Sequence, residues 1–439
     1  LHRGGPLSLR RLYGRGAARC NGSAARRSSA NHDEVPARGS FDRRAMTVLS
    51  LGHLCVDLCQ GALPALLPFL IAQHGWSYGQ ASGLILAATV SSSIIQPLFG
   101  HLSDGRSMPW LMPGGVALAA GGIALAGVAG SYALTVAVVV VSGLGVAAYH
   151  PEASRFANYV AGERRATAMS FFSVGGNAGF ALGPVFVTPL ALGLGLGGTP
   201  LVAVLPAVVA LLLVRELGRL TRFRPVAGDD GDDVAVVPDQ WRPFIRLSAA
   251  VAARSVVYFG LMTLVPLYFV DDLHASEATA NAALTAMLAA GAVGTLIGGR
   301  LADRFGRRVV LRTSLALLTP LIVVFLMSSV GVAIASLALI GAATIATFSV
   351  TVVMGQEYLP NRLGIASGVT LGLSIGLGGV GAAILGQVAD AYGLRTALEV
   401  VALLPIPALL VAMSLPEGQR PASVAMGPRA AEPAPAHPA

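Results

Sequence analysis

Long apolar stretches alternate with short polar segments along the chain from residue 47 to residue 415. Each stretch has about the 20 residues that a helix needs to cross a hydrocarbon core about 30 Å thick. Helices are expected, because a backbone that faces lipid must satisfy its own hydrogen bonds, and barrel strands would alternate apolar and polar residues. The pattern predicts an all-α integral membrane protein with twelve transmembrane helices, at residues 47–71, 80–103, 109–129, 132–154, 166–190, 199–217, 244–270, 278–301, 309–328, 332–356, 364–389 and 395–415.

The longest polar connection, residues 218–243, divides these helices into two sets of six, and the two sets repeat each other. Gly100–Asp104 matches Gly299–Asp303, and Arg165–Ser170 matches Arg362–Ser367, at offsets of 199 and 197 residues. The repeat predicts two pseudo-symmetric six-helix bundles joined by a cytoplasmic linker. Repeats in the same orientation occur in transporters whose binding sites lie near the bilayer midplane.

The apolar pattern places the first bundle at residues 46–217 and the second at residues 244–416. Residues 1–45 carry ten Arg and no apolar run. We expect this basic segment to be disordered or, because Met46 stands just before the first helix, absent from the natural protein. An organellar transit peptide is the alternative, since such peptides are rich in Arg and poor in acidic residues. The tail at 417–439 is also predicted to be disordered.

The composition supports a membrane protein, because 54% of the residues are hydrophobic, 12% are charged and the mean hydropathy is +0.69. Typical soluble domains have about twice that charged fraction. The formal net charge is +8, but +7 of it lies in residues 1–45, so the bundles have no basic surface for a nucleic acid. Of the twenty Arg after Met46, eighteen fall on one side of the predicted membrane, which makes that side cytoplasmic and places both termini there.

Several patterns that would indicate other chemistry are absent from the sequence. The chain has no Lys, and therefore no phosphate-binding Gly-x-x-x-x-Gly-Lys-[Ser/Thr] loop. Its three cysteines, Cys20, Cys55 and Cys59, match neither a disulfide framework nor a zinc pattern, and no His-Glu-x-x-His is present. We therefore expect a protein that is not an enzyme and that uses no cofactor and no metal.

Several blocks of sequence resemble known transporters. The loop Gly299-Arg-Leu-Ala-Asp-Arg-Phe-Gly-Arg-Arg308 resembles the signature of the major facilitator superfamily between helices eight and nine. Ser50–Asp57, Tyr149–Arg155 and Phe172–Asn177 are similar to blocks of the fosmidomycin-resistance transporter family. The resemblance covers about residues 47–416.

This resemblance implies the major facilitator fold and alternating access in the bacterial inner membrane, with the chain working as a monomer. It implies proton-coupled efflux, that is antiport, of small antibacterial compounds such as fosmidomycin. The expected partners are the lipid bilayer, protons and a small-molecule substrate. The alternatives are an uptake symporter or facilitator for a small organic anion and, in another class, a membrane-bound sensor without turnover.

A pair of opposite charges within the spans is the main candidate for the transport chemistry. Asp57 is predicted inside the first span, where a charge costs about 2.5–3.5 kcal/mol on insertion scales and is usually functional. His53 and Gln60 share its helical face. Arg254, on the seventh helix, lies 197 residues further on, which is the offset of the repeat, so it is predicted to face Asp57 or the substrate across the cavity.

Two hypotheses follow for this pair. Asp57 carries the coupling proton, because burial raises the pKa of a carboxyl group while a nearby guanidinium lowers it. Alternatively, Arg254 binds an anionic group such as a phosphonate, which suits its forked donors. A permanent structural ion pair is the alternative to both.

Further polar residues are candidates for the proton-coupling or substrate cavity. An imidazole can change its charge near neutral pH, and amides and charged groups can bind substrate. Helix capping, local salt bridges and packing are the alternative roles. These candidates are Gln96, His150, Glu152, Arg155, Asn177, Tyr258 and Glu357.

Two motifs add expectations about movement. A conformational latch on the cytoplasmic face is predicted from carboxylates that can meet the positive N-terminal end of a helix in the opposite half. The latch residues are Asp104, Arg106, Asp303, Arg304, Arg307 and Arg308. The fifth helix carries Gly175, Gly179, Gly183 and Pro184, a spacing that allows close helix approach and resembles the helix-five motif of proton-coupled drug antiporters. Membrane topology alone and ordinary helix packing are the respective alternatives.

Overall fold

The computed structural model describes residues 41–96, 98–99, 108–161, 165–223, 238–362, 365–366 and 368–416. These residues form helices and connecting segments without a β-strand, which confirms the all-α class. We number the helices α1 (Arg43–His74), α2 (Tyr78–Ser93), α3 (Leu111–Ala126), α4 (Tyr132–Val160), α5 (Arg165–Leu194), α6 (Val204–Leu220), α7 (Trp241–Asp271), α8 (Glu277–Phe305), α9 (Arg307–Met327), α10 (Val330–Tyr358), α11 (Gly368–Tyr392) and α12 (Leu394–Met413).

Nine segments of the described chain are long and apolar enough to cross a membrane, which confirms the integral membrane class. One of them, Met169–Leu220, has 52 residues and includes both α5 and α6, which a 3₁₀ turn at Gly195–Ala203 connects. The described parts of α2 and α3 have 16 residues each. The number of crossings, twelve, therefore stays a prediction.

Local polar contacts determine where several helices begin and end. Ser77 caps α2 by accepting a hydrogen bond from the Gln80 backbone N–H at 3.2 Å, while the Gln80 side chain accepts one from the Ser77 N–H at 3.1 Å. This reciprocal capping box satisfies two donors that the helix itself leaves free. Ser131 and Ser276 cap α4 and α8 by accepting from the backbone N–H three residues further on. After α1 the chain turns at Gly75, whose φ of 66° favours glycine.

The first helix begins three residues before Met46, the predicted start of the first bundle. α1 begins at Arg43, and its N-cap, Asp42, accepts a hydrogen bond from the Ala45 N–H at 3.0 Å. Asp42 is buried, and its Oδ2 lies 2.7 Å from Nη2 of Arg219 at the end of α6. Hydropathy did not indicate this turn because a polar cap and an ion pair hold it.

The ends of the predicted linker also shift, since α6 ends at Leu220 and α7 begins at Trp241. Residues 1–40 of the predicted basic segment lie outside the described residues. The same holds for residues 224–237 of the linker and for the tail from 417 to 439.

Each half of the chain is built from pairs of helices in extensive contact. In the first half α1 packs along α5, and α3 packs along α4. In the second half α8 packs along α10, and α7 packs along α11. The halves meet mainly where α2 contacts α11 and where α5 contacts α8. Small residues allow the α2–α11 approach, because a side chain at Gly386 would collide with Ser82.

A carboxylate from the second half caps a helix of the first half, at the end predicted to face outside. Asp390, near the end of α11, accepts hydrogen bonds from the backbone N–H groups of Tyr78 at 2.8 Å and Gly79 at 2.9 Å, at the start of α2. The Tyr78 hydroxyl donates to Asp271 Oδ2 at the end of α7, at 2.9 Å. We call this set of contacts the outer clamp.

A buried amide joins the halves deeper in the protein. Asn281 of α8 donates from Nδ2 to the Ala65 carbonyl oxygen at 3.1 Å and to Thr188 Oγ1 at 2.9 Å. Both acceptors belong to the first half, on α1 and α5. The halves are thus held together by polar contacts at the predicted outer side.

Candidate functional site

Three titratable side chains from two helices meet within the first half. His53 and Asp57 lie one turn apart on α1, with His53 Nε2 3.3 Å from Asp57 Oδ2. His150 of α4 places its Nε2 3.4 Å from Asp57 Oδ1 and 3.2 Å from His53 Nε2. We call these three residues the His–Asp–His cluster. Gln60 Nε2 also donates to Asp57 Oδ1 at 2.9 Å, so the carboxylate has a partner on each of its sides.

Backbone carbonyl groups fix the orientation of both imidazoles. His53 Nδ1 lies 2.8 Å from the Phe172 carbonyl oxygen, and His150 Nδ1 lies 2.9 Å from that of Val146. A carbonyl oxygen only accepts, so each Nδ1 must carry a proton and donate. The two Nε2 atoms therefore face each other and Asp57. Two unprotonated nitrogen lone pairs would repel each other at this separation, so the cluster is arranged to share at least one cation.

Glycines of α5 allow this helix to lie directly against α1. A side chain at Gly175, Gly179 or Gly183 would meet the α1 backbone, at Ser50, Leu54 and Ala62 respectively. The partner helix in this close approach is α1, and a role of the motif in antiport stays a prediction. Pro184 lies buried within α5.

Gly176 borders the cluster, although the sequence pattern did not single it out. A Cβ atom at this position would lie 2.5 Å from both Asp57 Oδ2 and His53 Nε2. Its proximity depends on how α5 is rotated against α1, which spacing alone does not reveal.

Arg254 is buried in α7 of the second half, with 3% of its surface exposed. Its Nη1 donates to Thr347 Oγ1 at 3.0 Å, at the turn that interrupts α10, and its guanidinium carbon lies 5.5 Å from the centre of the Phe348 ring. Among the described residues no carboxylate forms an ion pair with it. Each of its side-chain nitrogens either forms a hydrogen bond or keeps some contact with solvent, so its remaining donors face accessible space.

The predicted direct pair between Asp57 and Arg254 is not formed in this structure. The partners of Asp57 are His53, Gln60 and His150, and the partner of Arg254 is a hydroxyl group. The repeat offset places the two residues at equivalent positions in sequence, but it carries no information about side-chain direction. Each residue finds its polar partners within its own half.

The other predicted cavity residues are distributed over several helices. Gln96, Asn177 and Tyr258 are half-buried, and Tyr258 lies one turn after Arg254 on α7. None of these three has a hydrogen bond to the His–Asp–His cluster in the described structure. Their contribution to a cavity stays a prediction.

Three predicted cavity residues, Glu152, Arg155 and Glu357, form local ion pairs. Glu152 Oε1 lies 2.5 Å from Arg155 Nη2, one turn further along α4, and also accepts from the Met108 N–H at 3.0 Å. Glu357, in the last turn of α10, pairs with Arg307 at the start of α9. These contacts agree with the alternative role in local salt bridges, and a role of the three residues in the cavity stays a prediction.

The contacts seen for the described latch residues lie within the second half, and a latch between the halves stays a prediction. Asp303 is exposed, Arg304 lies over the ring of Phe305, and Arg307 pairs with Glu357 of its own half. Arg308 donates to the Leu415 carbonyl oxygen at 3.3 Å, also within the second half. Asp104 and Arg106 lie outside the described residues.

Paired helical halves with buried charges between apolar helices define a multi-pass membrane transporter. The sequence model described as the Major Facilitator Superfamily matches residues 49–268 and 247–438. The chain belongs to the major facilitator superfamily.

Two curated relatives align with most of the chain. One is an uncharacterized MFS-type transporter, YfnC, of Bacillus subtilis (strain 168), which is 32% identical over 382 residues, covering 85% of this chain and 93% of YfnC. The other is the fosmidomycin resistance protein of Escherichia coli (strain K12), which is 29% identical over 379 residues with the same coverage.

Solved structures share the fold at low sequence identity. A bacterial homologue of the human lysosomal transporter Spinster, in an inward-facing and unoccupied conformation, has a TM-score of 0.71 at 17% identity, covering 86% of this chain and 98% of that chain. The nucleoside transporter NupG has a TM-score of 0.70 at 14% identity, covering 85% and 100%. These similarities confirm the predicted fold.

Proposed function

We propose that this transporter exports small antibacterial compounds with an anionic group, similar to fosmidomycin, in exchange for protons by alternating access. The observation that carries the proposal is Arg254, a buried guanidinium without an acidic partner among the described residues. A buried charge is costly when it is unpaired. An anionic substrate removes this cost when it binds, and the forked donors of Arg match phosphonate or carboxylate oxygens.

The His–Asp–His cluster supplies the proton arm of the proposal. It holds two imidazoles and a carboxylate within 3.4 Å of one another, packed against α5 at Gly176. In an antiporter the proton and the substrate drive the same two-state movement in opposite directions. A cation site in one half and an anion site in the other provide the two binding steps that such an exchange requires.

Similarity to a resistance protein supports the direction of transport. The relative from Escherichia coli is named for fosmidomycin resistance, and it aligns over 93% of its own length. Removal of the drug from the cell is the simplest way in which a transporter of this class confers resistance. At 29% identity the substrate itself stays part of the proposal.

Drug susceptibility tests the proposal. A bacterium without its own efflux pumps, expressing the full chain, should tolerate more fosmidomycin than the same strain with an empty vector. Arg254→Gln should lose this protection at equal membrane abundance. Arg395→Gln is the matched control, because Arg395 is exposed and forms an ion pair with Glu399 on its own helix.

Each outcome bears on the proposal. No protection from fosmidomycin or from related anionic drugs would contradict it. Increased sensitivity would contradict export and favour the alternative, uptake of a small organic anion.

A further inference from the structure

We propose that the His–Asp–His cluster is also a binding site for a divalent transition metal such as Zn²⁺, Co²⁺ or Ni²⁺. The ion would bind at the two imidazole Nε2 atoms and the Asp57 carboxylate. The metal ion and a shared proton would exclude each other, because both require the same lone pairs of the imidazoles and the carboxylate. The inference concerns binding and does not depend on which substrate the protein transports.

The chemistry of the donor atoms selects the kind of ion. Imidazole nitrogen with carboxylate oxygen is a ligand set that Zn²⁺, Co²⁺ and Ni²⁺ accept, whereas Mg²⁺ and Ca²⁺ prefer oxygen ligands alone. Within the described residues, His53, Asp57 and His150 are the one group of three such side chains whose ligand atoms all lie within 4.8 Å of one another. The sequence did not indicate a site, because His150 lies 97 residues from His53 and on a different helix.

For either carboxylate oxygen, two of the three separations between the donor atoms match a tetrahedral ion, and all three lie within 4.8 Å. An ion with bonds of about 2.0–2.1 Å in tetrahedral geometry holds its ligand atoms about 3.3–3.4 Å apart. The three closest separations in the cluster are 3.2 Å between the imidazoles and 3.3 Å and 3.4 Å from each imidazole to the carboxylate. Asp57 presents Oδ2 to His53 and Oδ1 to His150, so a small rotation of the carboxylate is enough for one oxygen to bind the ion together with both imidazoles.

The surroundings of the ligands are those of a metal site. Each histidine donates its Nδ1–H to a backbone carbonyl oxygen, at 2.8 Å and 2.9 Å, which directs the Nε2 lone pair at the proposed ion. Metal-binding histidines almost always have such an outer partner, and so do ligating carboxylates. Gln60, which donates to Asp57 Oδ1, provides the carboxylate's partner.

The site is also reachable. The side chains of His53 and His150 are 12% and 18% exposed, while Asp57 is 7% exposed. Three protein ligands leave the fourth position of a tetrahedral ion for water or for a group of the substrate.

Cobalt binding to the purified full chain tests this inference without any transport assay. The protein is prepared with an affinity tag that contains no histidine and is titrated with Co²⁺, whose four-coordinate complexes absorb strongly in visible light. We expect the absorption band to reach its full intensity at one Co²⁺ per chain, to disappear when Zn²⁺ is added, and to persist when Mg²⁺ is added.

Histidine variants show where the ion binds. Loss of an outer partner typically lowers metal affinity roughly 10–100-fold. Because they remove a ligand itself, His53→Ala and His150→Ala should each lower the affinity for Co²⁺ at least that much. His74→Ala and His274→Ala are matched controls outside the cluster and should bind Co²⁺ as the unmodified protein does. Thermal unfolding in detergent shows whether each variant is folded. Zn²⁺ should raise the Tm of the unmodified protein and of the controls but not of the cluster variants.

Two results would overturn the inference. One is the absence of a four-coordinate cobalt band in folded, unmodified protein, which would leave the cluster as a proton site only. The other is an unchanged affinity for Co²⁺ in His150→Ala or, if that variant does not fold, in His150→Gln, because the ion would then bind elsewhere. Neither result would affect drug susceptibility, so failure of the metal site and failure of the export proposal are distinguishable.

Discussion

Asp390→Ala should make the outer side of the transporter open more often. The first backbone N–H groups of a helix have no partner within it. In α2, the N–H of Gln80 is capped by Ser77, and the N–H groups of Tyr78 and Gly79 are capped by Asp390 of the opposite half. The variant removes both acceptors of this inter-half contact and leaves the capping of Gln80 intact.

The size of the effect follows from the exposure of the contact. A hydrogen bond to a charged group contributes about 1.5–3 kcal/mol when it is sheltered. Asp390 is exposed, and water replaces it at the freed N–H groups, so the contribution falls to about 1 kcal/mol. A change of that size shifts the ratio of outer-open to outer-closed molecules about fivefold.

Distances between spin labels across the outer face measure this ratio. Gln73 at the end of α1 and Tyr392 at the end of α11 are exposed, lie in opposite halves and can carry the labels after replacement by cysteine. Cys20, Cys55 and Cys59 are replaced in the labelled protein, so that only these two positions react. In Asp390→Ala the ratio of molecules with the longer distance to molecules with the shorter distance should rise about fivefold.

Glu399→Ala provides the matched control for Asp390→Ala. It removes an exposed carboxylate that pairs with Arg395 within α12 and contacts no residue of the first half in the described structure. Equal distance distributions in Asp390→Ala and Glu399→Ala would show that the Asp390 contacts of the outer clamp do not hold the halves together.

Two further predictions concern packing and closure. Gly179→Val should lower the Tm, because its side chain would meet the Leu54 carbonyl group on α1, and such overpacking costs about 1–3 kcal/mol. Gly193→Val should leave the Tm unchanged, because a Cβ atom at Gly193 would meet nothing within 4 Å. An equal fall of the Tm in both variants would contradict the close α1–α5 contact. Asn281→Ala should raise the outer-open fraction more than Asp390→Ala does, since its two hydrogen bonds across the halves are buried. The same spin labels measure this fraction, and an unchanged fraction would show that the amide does not contribute to closure.

Helical spacing made part of the site predictable. Residues three and four apart share a face of a helix, so His53 and Gln60 could be placed beside Asp57 from the sequence. Repeated glycines predicted a close helix contact for the same reason. These features depend on one helix only, which is why the sequence contains them.

Contacts between helices were not predictable from one sequence. The contact of His150 with Asp57 depends on the rotation of α4 against α1, and the separation of Asp57 from Arg254 depends on the direction of each side chain. The internal repeat predicts equivalent depth, and depth alone suggested an ion pair that the structure does not contain. The polar start of α1 at Asp42 was missed because hydropathy detects apolar burial and not capping.

Transport of labelled fosmidomycin into proteoliposomes, driven by an imposed pH gradient, tests the central claim most directly. The unmodified protein should accumulate the drug when the lumen is acidic, as protons leave in exchange. Asp57→Asn should abolish accumulation driven by the gradient, because the His–Asp–His cluster then lacks its carboxylate charge. Undiminished accumulation in Asp57→Asn at equal protein density would contradict the account.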